Sequence, residues 1–217
     1  MILQGKKILF LGDSITEGVG ASSVATNYVS IFKEMTGSEV VNYGISGTRI
    51  AKVRTPSEIM TFDNDFLQRV DEMQDDADVI IVFGGTNDYG HGRIKLGEFK
   101  SMDEYTFYGA LHALCIKLLN KYPGAELVFL TPLHRLDEDG IINADGDITR
   151  PLAEYSAAIQ EVAGYYGLPV LDLFHTSGIQ PNVNIIKEIY MPDGLHPSDE
   201  GARRIACRIK AFLDMLE

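Results

Sequence analysis

Lys7-Ile8-Leu9-Phe10-Leu11-Gly12-Asp13-Ser14-Ile15 is the stretch on which the reading of this chain turns. Apolar residues in an unbroken row, without polar alternation, read as a strand buried on both faces, as in a parallel sheet. The strand is placed at Lys7–Leu11, and similar short runs recur at Glu39–Asn42, Asp78–Phe83, Glu126–Leu130 and Pro169–Leu173. Helical spacing fills the gaps. Asn27–Thr36 sets Tyr28, Ile31 and Met35 on one side, with Gly37 placed to end it. Phe66–Asp75 groups Phe66, Val70 and Met73, and Asp103–Lys121 groups Tyr108, Leu111, Cys115 and Leu118. Leu152–Tyr166 groups Leu152, Tyr155, Ile159 and Val162. Asp199–Met215 has Ser198 as its N-cap and a stripe of Ala202, Ile205, Ile209, Phe212 and Leu216. This alternation predicts an α/β fold, one domain over residues 1–217, with a parallel sheet between two layers of helices.

Composition narrows the function. The 217 residues carry 19 Lys and Arg against 31 Asp and Glu, a formal charge of −12. That charge repels phosphate backbones and anionic membrane surfaces, so neither nucleic acid nor membrane is an expected partner. No apolar run approaches the ~20 residues of a membrane span. The apolar run after Lys6 and Lys7 is shorter than the ~7–15 residues of a signal-peptide core, and the cytoplasm is the expected compartment. Cys115 and Cys207 both fall on helical patterns and read as free buried thiols.

Four segments at strand ends carry the chemistry. Gly12-Asp13-Ser14-Ile15 lifts a serine to the rim of the sheet, although Ser14 alone reads equally well as a helix N-cap. Asp193-Gly194-Leu195-His196-Pro197 places a histidine three residues after a carboxylate. Asp193 can orient one ring nitrogen and leave the other to act as base toward Ser14. Asn42-Tyr43-Gly44-Ile45-Ser46-Gly47-Thr48 and Gly84-Gly85-Thr86-Asn87-Asp88 follow the second and third strands. Gly47 can bring a backbone N–H close to a ligand, and Asn87 offers a side-chain amide, the donors an oxyanion needs. Taken singly, both segments are ordinary turn chemistry. Asp13 and Asp88 read as turn-stabilising groups beside the site.

Together, in this order, the four segments resemble the SGNH hydrolases, the GDSL esterase/lipase family. The blocks span residues 12 to 197, with Ile15 where the name-giving motif has Leu. The resemblance implies a flavodoxin-like α/β/α sandwich with strand order 2-1-3-4-5. It implies Ser14 as nucleophile, His196 as general base and acid, and Asp193 as the orienting carboxylate. The implied oxyanion hole is the backbone N–H of Ser14 and of Gly47 with the Asn87 side chain. It implies an acyl-Ser14 intermediate, no cofactor and no metal. Carboxylesterase, O-acetyl esterase, lysophospholipase, thioesterase and acyltransferase all occur in the family. The absence of a long apolar lid tilts the reading toward a small acyl ester as substrate.

Other residues compete for attention. Tyr89, His91, His134 and Arg135 sit in strand-end loops and are candidate substrate contacts. His112 and His175 read as structural. Asp137-Glu138-Asp139-Gly140 through Asp145-Gly146-Asp147 lacks the ligand spacing of a calcium loop and reads as a solvated acidic turn. Gly12–Gly20 matches neither the Walker nor the dinucleotide glycine pattern. A non-catalytic flavodoxin-like binding module is disfavoured by the complete Ser14, His196 and Asp193 set.

Overall fold

Within β1 (Lys7–Gly12) the side chains alternate, and the alternation divides the interior in two. Ile8 and Phe10 point into one core and Leu9 and Leu11 into the other, all fully buried. The computed structural model describes residues 1–91, 94–142 and 148–216. β1 pairs in parallel with β2 (Glu39–Gly44) on one side and β3 (Val79–Phe83) on the other. β4 (Glu126–Leu130) and β5 (Val170–Leu171) follow, so the five-stranded order is β2-β1-β3-β4-β5, all parallel. This is the flavodoxin-like order expected from the motif resemblance.

Helices cover both faces. The nine among the described residues are α1 (Ser14–Glu17), α2 (Tyr28–Thr36), α3 (Phe66–Glu72), α4 (Thr86–Gly90), α5 (Phe107–Lys121), α6 (Leu152–Tyr165), α7 (Leu173–Thr176), α8 (Asn184–Tyr190) and α9 (Asp199–Met215). α2 and α9 close one core with Ile8, Phe10, Val79, Ile81, Phe83, Val128 and Leu130. α3, α5 and α6 close the other with Leu9, Leu11, Ile80, Val82, Leu127 and Phe129. Elements from both ends of the chain therefore share one sheet. Among the described residues no helix is long and apolar enough to cross a membrane.

Several expectations need correction. β5 is two residues long because Asp172 leaves the ladder to cap α7, accepting the His175 N–H at 3.2 Å. α5 starts at Phe107, not Asp103, because Thr106 caps it through the Gly109 N–H. α3 stops at Glu72 where Met73 turns extended, and α6 ends at Tyr165. β2 is an edge strand, so Val40 and Val41 are only half-buried. On α2 the buried stripe is Tyr28, Val29, Ile31 and Phe32, and Met35 is exposed. Cys115 is buried as expected, but Cys207 is exposed. On α9 the stripe includes Ala206 and Leu213, while Phe212 and Leu216 are partly covered. The helices α1, α4, α7 and α8 are too short to show a period in the sequence. Of the acidic turn, Asp145, Gly146 and Asp147 lie outside the described residues.

Candidate active site

All four segments sit beyond the carboxyl ends of β1, β2 and β3 or just before α9. Asp13 is the N-cap of α1: its carboxylate accepts the Ile15 N–H at 3.0 Å. Ser14 is therefore the first residue of the helix and not its cap, and its hydroxyl is turned to other use. That hydroxyl lies 3.0 Å from Nε2 of His196, and Nδ1 of His196 lies 2.7 Å from Oδ2 of Asp193. The second Asp193 oxygen accepts the backbone N–H of Leu195 at 2.8 Å and of His196 at 2.7 Å. Partial burial pushes the Asp193 carboxyl up, but these N–H groups and the imidazole outweigh it and hold it below its ordinary value. An ionised Asp193 keeps a proton on Nδ1, which leaves Nε2 as an acceptor facing Ser14.

The turn carrying Gly47 is tied to α1 by several bonds. Asn42 donates to the Thr16 carbonyl at 2.7 Å, and the Glu17 carboxylate accepts the Ser46 N–H at 2.7 Å. Gly47 has φ 76°, and a Cβ there would lie 2.0 Å from the Phe62 ring. Position 47 thus needs glycine for both backbone and space. Asn87, in α4, donates through Nδ2 to the Thr48 carbonyl at 3.0 Å, so the two candidate oxyanion segments are bonded to each other. Among the described residues no protein acceptor takes the backbone N–H of Ser14 or of Gly47.

Beneath these turns lie three buried ionisable groups. Asp88 accepts the N–H of Ile50 at 3.0 Å and of Ala51 at 2.9 Å, holding the chain just after Gly47. Burial pushes the Asp13 carboxyl up to about 7 and that of Asp88 up to about 6. Arg69 was not singled out in the sequence, where it looks like a polar position on an amphipathic helix. It is 3% exposed and reaches from α3 to the Gly12 carbonyl at 3.0 Å, the Thr48 hydroxyl at 2.8 Å and the Tyr43 carbonyl. One guanidinium therefore joins the turns that carry Ser14 and Gly47, and burial lowers it to about 10.

The four candidate substrate contacts divide. Tyr89 is wholly buried: its ring meets Tyr155, and its hydroxyl bonds to the Asp137 carbonyl and accepts the Gly140 N–H at 3.1 Å. It braces the loop after β4 and offers no surface to a ligand. Arg135 donates to the Thr86 carbonyl at 3.2 Å and lies over the Tyr89 ring. His134 bonds the Glu138 carboxylate at 2.8 Å and packs on Phe174. The same loop is joined to the one carrying Asp193 and His196, since Leu136 donates its N–H to the Gly194 carbonyl at 2.9 Å. His91 stacks on Phe62 with ring centroids 5.0 Å apart and lines a cavity of about 330 Å³ with Arg49, Ser57, Glu58, Ile59 and Phe62. A second cavity, of about 550 Å³, lies between α3 and α5, lined by Lys52, Leu67 and Lys117 among others. None of the four motif segments reaches it.

A family model for the GDSL-like lipase/acylhydrolase family matches residues 10–204. The chain belongs to that family. The family is one of ester-cleaving hydrolases, and the match spans all four motif segments. No curated protein matches the chain. Among solved structures, a protein from Lactobacillus plantarum is 32% identical over 99% of each chain, with a TM-score of 0.83. The lipase/acylhydrolase from Enterococcus faecalis is 22% identical over 96% of this chain and 95% of its own, with a TM-score of 0.66. An acetyl xylan esterase is 22% identical over 95% of this chain and 99% of its own, also with a TM-score of 0.66. At that identity the last two speak for the fold alone.

Proposed function

We propose that the protein is a serine esterase that cleaves small acyl esters, as a carboxylesterase or O-acetyl esterase, through an acyl-Ser14 intermediate. The unbroken relay from Asp193 through His196 to Ser14, at 2.7 and 3.0 Å, carries this reading. Ser14 Oγ attacks the ester carbon as its proton passes to His196 Nε2. The negative oxygen that forms is received by the N–H groups of Ser14 and Gly47 and by the Asn87 amide. Such donors act at the point where charge develops and are each worth ~10²–10³ in kcat. His196 then hands its proton to the leaving alkoxide, and the alcohol departs. Water, deprotonated by His196, attacks the acyl carbon, and Ser14 Oγ leaves with the proton returned to it. Asp193 stays ionised throughout and stabilises the imidazolium.

The small-ester preference rests on the polar composition of the segments 89–99 and 133–148, which follow the third and fourth strands. Ser14→Ala is expected to remove both p-nitrophenyl ester turnover and covalent labelling by a fluorophosphonate. Labelling that persists in Ser14→Ala would place the nucleophile elsewhere.

A further inference from the structure

We infer that Asp199 is a positioning residue for His196: by clasping Ser22, on the segment that follows the nucleophile, it sets the base at its distance from Ser14. This deepens the esterase reading and rests on it. Three observations carry it.

Two segments must meet for the relay to close. Residues 14–23 are fastened to the nucleophile by backbone, since Gly18 and Val19 both donate their N–H to the Ser14 carbonyl, at 3.0 and 2.9 Å. Residues 193–199 carry the base. Asp199 Oδ1 accepts the Ser22 N–H at 2.8 Å, and Asp199 Oδ2 accepts the Ser22 hydroxyl at 2.6 Å. Among the described residues, this fork and the relay itself are the only hydrogen bonds between the two segments.

Between the fork and the relay the segments are in contact. A Cβ on Gly20 would lie 2.6 Å from the Pro197 carbonyl oxygen and 2.9 Å from the His196 Cβ. Gly20 also has φ 93°, so position 20 needs glycine for backbone and for clearance. The base rests against bare backbone, and the fork three residues later keeps that contact closed.

The fork is not what docks the helix. α9 is held to α2 and the core by Ala202, Ile205, Ala206, Ile209 and Leu213. Ser198 already caps its first turn, accepting the Gly201 N–H at 3.2 Å. The Asp199 carboxylate is therefore left over from capping, and both its oxygens go to Ser22, whose donors hold it below its ordinary value. An acidic residue in a first turn also suits the helix dipole, but that role needs only its charge and not Ser22. Without the fork, the first turn of α9 and His196 with it can shift while the rest of the helix stays packed. A displacement of ~1 Å at a reacting group can cost ~10²-fold in rate.

The test compares the wild type with Asp199→Ala, Asp199→Asn and Ser22→Ala. It measures kcat and KM for p-nitrophenyl acetate, the rate of fluorophosphonate labelling, and Tm. Acylation and deacylation both use His196, so Asp199→Ala should lower kcat and the labelling rate together, by ~10- to 100-fold, with KM little changed. Asp199→Asn loses the charge but keeps an oxygen for the Ser22 N–H, and should regain much of kcat. Ser22→Ala, on an exposed residue, keeps the backbone half of the fork and should fall between. A lower Tm in Asp199→Ala with kcat and labelling unchanged, a loss confined to KM, or an Asp199→Asn no better than Asp199→Ala would each overturn the assignment. Should Asp199→Ala fail to fold, unchanged labelling rates in both Asp199→Asn and Ser22→Ala would overturn it as well. Normal labelling of the wild type alongside any of these leaves the esterase reading standing. A wild type with neither labelling nor turnover removes that reading, and this role with it.

Discussion

Asp193 and Asp13 are both carboxylates of the site region, and their surroundings drive them in opposite directions. Asp193 has a half-exposed side chain and three hydrogen-bond donors, and is held low. It therefore stays ionised further into acid than an ordinary carboxylate. Asp13 is buried with few donors, and is pushed from 3.8 to about 7. Between those two values the folded chain holds a proton that the unfolded chain has released. The stabilisation from that proton is full below about pH 4 and is lost as pH rises through about 7. Asp13→Asn keeps an oxygen for the Ile15 N–H and cannot ionise. Its Tm, relative to the wild type, should therefore climb between pH 5 and pH 8, as followed by circular dichroism. A constant difference across that range would contradict an ionising Asp13. The four motif residues were legible because each is named by its own neighbours in sequence. Tyr89 misled because a loop position says nothing about the direction of a ring.

At the scale of elements, the strands announced themselves through apolar runs and the long helices through their stripes. What stayed hidden was how the strand ends are fastened. Arg69 projects from α3 to backbone carbonyls of two strands and a hydroxyl on a third segment, and no local pattern encodes such contacts. Phe62 and Arg49 were invisible for the same reason: their partners are set by the folded loop alone. The two-residue β5 and the late start of α5 follow from caps, Asp172 and Thr106, that outcompete propensity. Arg69→Met should leave buried acceptors unsatisfied, at ~1–3 kcal/mol each. It should also lower kcat more than it raises KM, because the Ser14 and Gly47 turns lose their shared tie. Arg69→Lys, able to restore part of the bonding, should recover part of kcat. Steady-state kinetics beside thermal melts would check this, and a melt shift with kcat intact would mean that the tie does not reach the site.

Taken whole, the molecule is a sheet with two separate interiors, and the closure of one of them is measurable through its two thiols. Cys115 lies in the core under α5, where burial pushes the thiol up to about 12, while Cys207 faces solvent on α9. Native protein treated with iodoacetamide at pH 8 should take up one adduct, at Cys207, and a second only on unfolding. Intact-mass measurement reads this directly, and rapid native alkylation of Cys115 would contradict a closed core. Cys207 falls outside the apolar stripe of α9: it follows the buried Ile205 by two residues, roughly 200° around the helix, and so faces solvent. The buried side of the packed helix carries Ala206 and Leu213 beside Ala202, Ile205 and Ile209.

The relay also imposes an order in time. Ser14 and His196 stand 182 residues apart. At ~5–20 residues per second, a ribosome finishes His196 roughly 10–40 s after Ser14. Throughout that interval the nascent chain carries Ser14, the proposed nucleophile, without His196, its proposed base. On the proposed mechanism, ester cleavage is thus withheld from every growing chain and begins only when α9 has docked against α2.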